Sequence, residues 1–469
     1  MGVPVPALAD QARQCAAFLT DSDNVLCCSH IDADGLTSAA IASTALERAE
    51  VRHDVAFFEQ LDDAALEAIS DADSETVLFT DFGSGQLDQI SEFESGGKFT
   101  PVIIDHHQPC NAHTRYHLNP MLVGIDGASE LSGAGATYVL ARAMEENYDN
   151  RDLAKLAVVG AVGDMQSSEG KLHGANEAIV EEGETAGVLE SGPDLNVYGK
   201  QTRSLPKLLE YATDISIPGI TGHNDGAVRF LNGLDIDIKN DGEWRTWSDL
   251  EKEERQTLVS ALLQHGMKRG IPTDKLEALV GTGYTLLDEN EGTELRDASE
   301  FSTLLNATAR YDRADIGLAV CLGNRDKALR RARQLLQNHR RALSEGVSLI
   351  QEKGVTEEES LQWFHAKDNI RDTIVGIVAG MAIGNQGVDA DKPIIAFANK
   401  NDEEIKVSSR GTPPLIKEGL DLSKVMSGAA SEVGGDGGGH DIAAGATVPA
   451  GEERAFIEAA NEIISSQLH

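Results

Sequence analysis

Residues 24–35 read NVLCCSHIDADG: a short β-rich run, then His30, Asp32 and Asp34 at alternate positions, then a glycine. Residues 101–107, PVIIDHH, repeat the plan with Asp105, His106 and His107 after an apolar run, and TVLFTD at 76–81 ends in Asp81. Stretches with helical patterning, Thr37–Glu50, Leu61–Ser70 and Gly133–Glu146, lie between and after these runs. Short strands alternating with helices predict βαβ units and a parallel sheet over roughly the first 190 residues. LAVVGAVGD at 156–164 is apolar throughout, reads equally as helix or strand, and ends in Asp164.

In open α/β sheets ligands bind just beyond the carboxyl ends of the strands. Four separate segments therefore deliver carboxylate and imidazole to one edge. Carboxylate-rich sites with a few imidazoles suit Mn2+ or Mg2+, and the histidines favour Mn2+. The absence of thiolates argues against structural zinc. Two such ions about 3.5–4 Å apart clamp a phosphoryl group and lower the pKa of a shared water. A single Asp after a strand is more simply a helix N-cap. That explains Asp34 or Asp81 alone, but not a D-H-H run beside an H-x-D-x-D run.

The chain has 469 residues, enough for about three domains by length. Acids outnumber bases 77 to 40, a net charge of -37. Such a chain is not a simple basic-patch nucleic-acid binder at low salt, because phosphates are repelled. The acids are spread between apolar segments, so the charge does not signal disorder. Even spread without an acidic tail favours a halophilic source over a basic partner, since molar salt shrinks the Debye length to about 3 Å. The N-terminus lacks a basic start with an apolar core, and Pro6 stands where myristoylation needs Ser or Thr. No run of about 18 uncharged apolar residues is present, so no membrane span is expected. The cysteines, Cys15, Cys27, Cys28, Cys110 and Cys321, form no C-x-x-C and are odd in number, which points to a reducing cytoplasm.

Four domains are expected: 1–195 catalytic, 196–323 a mostly helical insertion, 324–354 a linker helix, and 355–469 a smaller α/β domain. The insertion holds turn signals (SIPGITGHNDG, 216–226) and WRTWSDL at 244–250. Trp244 and Trp247 could stack bases, but tryptophans three apart on a helix are more often core. The linker contains the only dense basic run, Arg325–Arg341, read first as a solvated connecting helix and alternatively as a rail for nucleic acid. Asp368–Gly384 reads as a helix, and Pro393–Asn399 with Glu404–Ser409 as a β-hairpin around Lys400–Asp402. GGDGGGH at 434–440 reads either as a flexible tight turn or as a phosphate site, in which Gly438 and Gly439 bring backbone N–H groups close and His440 donates. It is neither a Walker A loop nor a dinucleotide fingerprint. Arg410 after a strand suits bidentate phosphate contact. Arg310 alone reads as a surface ion-pair partner. His53, His113, His117, His223 and His265 have no ligand-like neighbours in sequence and are read as structural.

D-H-H at 105–107, with H-I-D-A-D-G at 30–35, T-D-F-G at 80–83 and G-A-V-G-D at 160–164, resembles the DHH phosphoesterases. L-S-G-A-G-A-T at 131–137 is similar to the segment that follows the D-H-H motif in RecJ-type nucleases. Asn306-Ala307-x-x-Arg310 resembles the N-A-x-G-R motif of RecJ, with Ala309 in place of its Gly. V-S-S-R at 407–410 and G-G-H-D-I-A-A-G at 438–445 resemble the C-terminal DHH-associated domain. The resemblance is weakest in the middle of the chain and is to archaeal RecJ-like nucleases.

It implies one metal held by His30, Asp32 and Asp81, and another held by Asp34, Asp81, His106 and Asp164. Asp105 would orient an imidazole, and His107 would sit at the scissile phosphate. Arg310, Arg410, Gly438, Gly439 and His440 would bind substrate. The implied activity is exonucleolytic hydrolysis of single-stranded nucleic acid, DNA first, threaded between two domains, in repair, recombination or replication. Two alternatives stand beside it. One is a nano-RNase, cyclic-dinucleotide phosphodiesterase or pyrophosphatase of the same superfamily. The other is a structural role at the replication fork with the GINS complex.

Overall fold

The computed structural model describes residues 3–72, 74–167, 170–212, 216–384 and 387–468. They form two compact units, 1–333 and 334–469. In chain order the first carries α1 (Ala9–Thr20), β1 (Asn24–His30), α2 (Ala33–Arg48), β2 (Arg52–Phe58), α3 (Asp63–Asp71), β3 (Thr76–Thr80), α4 (Leu87–Ser95), β4 (Thr100–Ile104), β5 (Tyr116–Leu118), α5 (Gly133–Ala143), α6 (Ala154–Gly163), α7 (Ala175–Thr185) and β6 (Leu189–Leu195). There follow α8 (Leu205–Glu210), α9 (Asn224–Asn232), β7 (Lys239–Asn240), β8 (Glu243–Trp244), α10 (Lys252–Lys268), α11 (Thr273–Glu277), β9 (Val280–Leu286), α12 (Ala298–Ala309) and α13 (Ala314–Cys321).

The sheet is parallel, in the order β2-β1-β3-β4-β5. Its centre is apolar because β3 and most of β4 are buried on both faces, as crossover helices require. Two of its strands escaped the sequence reading. Edge strand β2 alternates charge and apolarity only weakly (RHDVAFF), and β5 is three residues long.

LAVVGAVGD resolves as helix α6, so Asp164 follows a helix and not a strand. Its apolarity on every side fits a helix enclosed by α2, α5, α7 and α12.

The middle segment is mostly helical, as its sequence suggests, but it also carries strands. Strands β6 and β9 pair antiparallel over seven residues, and β7 and β8 form a small hairpin. The two tryptophans therefore do not share a helix. Trp244 lies exposed in β8 with the Lys239 ammonium 4.2 Å from its ring centre. Trp247 is buried, and its Nε1 donates to Asp194 at 2.8 Å. At the start of the basic run, Arg325 pairs with buried Glu289 and Arg333 with buried Glu294. These two arginines are held in ion pairs, with their guanidinium groups still partly exposed.

Helix α14 (Lys327–Lys353) carries the chain into the second unit. That unit continues with β10 (Thr356–Glu357), β11 (Gln362–His365), α15 (Asp372–Ala382), β12 (Ile394–Asn399), β13 (Glu404–Arg410), α16 (Pro413–Lys417), α17 (Leu422–Glu432), β14 (Asp436–Gly439), β15 (Ala443–Pro449) and α18 (Glu453–Leu468). Its six strands run in the order β10-β11-β12-β13-β15-β14. The expected hairpin is present, with Asn399 opposite Ile405. The glycine cluster is not a turn. Asp436–Gly439 is an edge strand with Gly439 opposite Ala444, so ladder hydrogen bonds override the poor strand propensity of glycine. Among the described residues no helix is long and apolar enough to cross a membrane.

Candidate metal centre

The parallel sheet places His30 at the end of β1, Asp81 just after β3 and Asp105 just after β4. Asp32 caps α2, its Oδ1 accepting from the Gly35 N–H at 3.0 Å. Asp34 enters the first turn of α2 and is 1% exposed. A carboxylate so deeply buried needs donors. It finds them at the start of α5, where the Gly133 N–H reaches Oδ2 at 2.7 Å and the Ala134 N–H reaches Oδ1 at 3.0 Å.

Two glycines make this approach possible. A Cβ on Gly133 would lie 2.5 Å from Asp81 Oδ1, and one on Gly160 would lie 2.4 Å from Asp34 Oδ1. Asp81 itself has φ of +63°, a conformation uncommon outside glycine that marks functional sites.

These side chains converge. His30 Nδ1 lies 3.1 Å from Asp32 Oδ2 and 3.7 Å from Asp81 Oδ2. His106 Nε2 lies 3.2 Å from Asp81 Oδ1 and 3.8 Å from Asp34 Oδ2, and His106 Nδ1 lies 3.7 Å from Asp164 Oδ2. One donor group is His30, Asp32 and Asp81, and a second is Asp34, His106 and Asp164, with ligand atoms within 4.8 Å in each. Asp81 turns one oxygen to each histidine. Both Asp81 oxygens and His106 Nε2 are buried without a hydrogen-bond partner. Orphaned atoms of this kind cost stability unless something satisfies them, and hard oxygens beside imidazole nitrogen are a donor set that fits a divalent cation.

The electrostatics point the same way. Burial, with Asp81 and Asp164 nearby, raises Asp34 well above the ordinary carboxyl range. Burial pushes Asp164 up to about 6. Burial would raise Asp81 as well, but the His106 and His30 imidazoles outweigh it and hold that carboxylate low. Against their own burial, His30 is pushed up to about 11 by Asp32 and Asp81, and His106 is raised by Asp81 and Asp34. The cluster is short of positive charge.

Asp105 forms a third donor group with Asp81, His106 and His107, but both of its oxygens already carry hydrogen bonds. Its Oδ2 accepts from the Ser84 N–H at 2.9 Å, while Oδ1 accepts from the His106 N–H at 2.7 Å and faces His107 Nδ1 at 2.8 Å. It thereby fixes the His107 ring, whose side chain is 56% exposed. Burial opposes ionisation of Asp105, yet His107 holds its carboxyl at about 2, and Asp105 in turn raises His107.

Sequence reasoning missed the support behind this pair. Buried Asn119 donates to Ser84 Oγ at 2.8 Å and to the His107 carbonyl at 2.9 Å, and His117 Nε2 lies 2.9 Å from Ser84 Oγ. Only the Asn119-Pro120 dipeptide, a turn signal, hinted at it.

Of the residues expected at substrate, Arg310 lies exposed at the end of α12 in the first unit. Its motif partner Asn306 accepts from the Ala33 N–H at 3.0 Å, between Asp32 and Asp34. In the second unit Arg410 is the last residue of β13, opposite Ala443, and Gly439 lies opposite Ala444. Gly438, Gly439, exposed His440 and half-buried Arg410 therefore share one end of that sheet.

Family models match in three places. The N-terminal domain of the DHH family covers residues 24–161, the DHH-CID domain 197–280, and the DHHA1 domain 360–466. The chain belongs to the DHH phosphoesterase superfamily. It is 29% identical over 447 residues to an uncharacterized protein of Methanocaldococcus jannaschii, covering 94% of this chain and 93% of that one. Its fold is similar to exonuclease RecJ bound to manganese, with a TM-score of 0.61 at 17% identity over 97% of this chain and 94% of RecJ. It is also similar to CDC45 from Entamoeba histolytica, with a TM-score of 0.67 at 12% identity over 97% and 99%. The DHH chain thus has a RecJ-like fold: a parallel-sheet N-terminal domain, a middle segment and a DHHA1-type C-terminal domain.

Proposed function

We propose that this DHH protein is a metal-dependent phosphodiesterase that hydrolyses single-stranded nucleic acid, DNA first, from an end. The observation that carries the reading is the buried set of unsatisfied ligand atoms, Asp81 Oδ1 and Oδ2 and His106 Nε2, at the carboxyl edge of the sheet. His30, Asp32 and Asp81 would hold one divalent cation, and Asp34, Asp81, His106 and Asp164 a second. Mn2+ is the better match and Mg2+ the alternative. When bound there, such cations would supply positive charge for the phosphoryl oxygens and would lower the pKa of a coordinated water.

The remaining work falls to the chain. His107, held by Asp105, hands a proton to the leaving oxygen. Arg410, His440 and the Gly438 and Gly439 backbone grip phosphate in the second unit, and Arg310 does so in the first. The context is repair, recombination or replication.

A second reading, a replication-fork component associated with GINS, draws on the CDC45-like fold. The intact donor set favours an enzyme, and the two roles are compatible. The test is digestion of 5'- and 3'-labelled single strands, DNA and RNA, with Mn2+ or Mg2+ at molar KCl. Release of mononucleotides from a long strand, abolished by Asp105→Ala with His106→Ala, is expected. Activity confined to a dinucleotide, or activity unchanged in the variant, would refute the reading.

A further inference from the structure

Behind the second donor group lies a buried amide pair that no part of the reaction described above uses. Gln166 is 4% exposed and Asn176 is 2% exposed. Gln166 Nε2 donates to the Gly127 carbonyl at 2.8 Å and to Asp164 Oδ2 at 2.9 Å. Its Oε1 accepts from Asn176 Nδ2 at 2.7 Å. The Gly127 carbonyl also takes His106 Nδ1 at 2.7 Å.

The chemistry of these partners fixes every orientation. Gly127 O and the Asp164 carboxylate are acceptors only, so a flipped Gln166 would set its own oxygen against two others. Asn176 supplies the donor that keeps it from flipping. Asn176 is anchored in the first turn of α7, its N–H bonded to the Glu130 carbonyl at 2.9 Å. The same Gly127 carbonyl holds the proton on His106 Nδ1 and leaves Nε2 to face Asp81 and Asp34. Such outer hydrogen bonds orient metal ligands and set their basicity.

We propose that Gln166, locked by Asn176, is a positioning residue that sets both Asp164 and His106 for the cation they share. This rests on the metal reading above and goes further, because it makes the two cation sites separable. A loss at Gln166 reaches Asp164 and His106 but touches neither His30 nor Asp32.

The test is Mn2+ titration of the full chain, with free Mn2+ read by electron paramagnetic resonance, at constant KCl. Gln166→Met keeps the volume and removes the donors, Asn176→Ala frees the amide to flip, and thermal unfolding without metal is followed in parallel. The parent is expected to bind two Mn2+. In Gln166→Met one of them should weaken about 10–100-fold while the other stays within about threefold, with a smaller loss at the same site in Asn176→Ala. A purely structural role would weaken both sites or neither, so either result in a folded variant overturns the proposal. Should Gln166→Met fail to fold, the outcome for Asn176→Ala decides. A parent that binds fewer than two Mn2+ overturns the metal reading itself, and the positioning role falls with it.

Discussion

Gly160→Ala isolates the packing that keeps Asp34 in place. In a helix interior this change ordinarily stabilises by about 1 kcal/mol. Here the new methyl would lie 2.4 Å from Asp34 Oδ1, 2.5 Å from Ala134 Cβ and 2.5 Å from Thr37 Oγ1, so α2, α5 and α6 must spread or Asp34 must move. Overpacking of this kind costs about 1–3 kcal/mol. Moving Asp34 off the Gly133 and Ala134 amides removes hydrogen bonds to a buried charge, about 1.5–3 kcal/mol each. If Asp34 moves, the two lost bonds outweigh the helix gain by about 2–5 kcal/mol, and if the helices spread instead the net loss is up to about 2 kcal/mol. Urea unfolding of the metal-free protein at fixed KCl measures it, a lower midpoint at unchanged slope marking a true stability change. Gly133→Ala is the companion variant. Its methyl would meet Asp81 Oδ1 at 2.5 Å, so the first expected effect is weaker Mn2+ binding. A Gly160→Ala protein more stable than its parent would refute the packing of α6 on Asp34.

Lys200 is buried between Asp194 Oδ2 at 2.6 Å and Asp297 Oδ2 at 3.1 Å. Lys200→Met should cost about 3–5 kcal/mol in the same urea assay, because two carboxylates lose their counter-charge. A loss below about 1 kcal/mol would rule the bridge out as a structural element. Burial pushes the Glu300 carboxyl from an ordinary 4.5 up to about 7, outweighing its bonds from Thr202 and Gln201. Between those pH values the unfolded chain has released the proton and the folded chain keeps it. Stability therefore falls as pH rises through that window, by about 3 kcal/mol, and Glu300→Gln should flatten the slope in pH-dependent urea unfolding. His107→Ala should lower kcat on a single strand by about 10²–10⁴ while both Mn2+ remain bound, and loss of an ion would recast His107 as a ligand. Fold and nuclease activity should persist above about 1 M KCl, followed by circular dichroism and strand digestion, and loss of both would end the halophilic reading.

The parallel-sheet half of the fold was legible because its signals are local. Each of β1, β3 and β4 is a short apolar run ending in an acid or histidine, and the period of the pattern announces a parallel sheet. Residues whose role depends on contacts across the chain were not legible. Ser84, Asn119, Gln166 and Asn176 are ordinary polar residues in sequence, and only the fold sets them against Asp105, His107, Asp164 and His106. The glycine cluster misled for the opposite reason. Local propensity favours a turn at 436–439, but each of these four residues lies opposite a residue of β15, and the pairing makes a strand. Trp244 and Trp247 were misread because spacing alone cannot tell a helix from a hairpin followed by a turn.

The net charge of -37 first argued against a nucleic-acid substrate, and the site shows why that inference is too coarse. Asp32, Asp34, Asp81, Asp105 and Asp164 share this cluster with His30, His106 and His107. Even with every imidazole protonated, the centre stays negative and would repel phosphate. On the proposed reading, two divalent cations taking the place of protons on His30 and His106 would neutralise that charge and set their own positive charge beside a phosphoryl oxygen. Apart from a few buried acids such as Glu289, Glu294, Asp297 and Glu300, the remaining carboxylates among the described residues are at least partly exposed, and molar salt would screen exposed charges over roughly 3 Å. Repulsion of the strand by the chain as a whole then becomes negligible, whereas attraction at a buried cation is screened far less. The proposed nuclease activity of so acidic a chain therefore requires both bound cations and high salt, and each condition can be withdrawn separately.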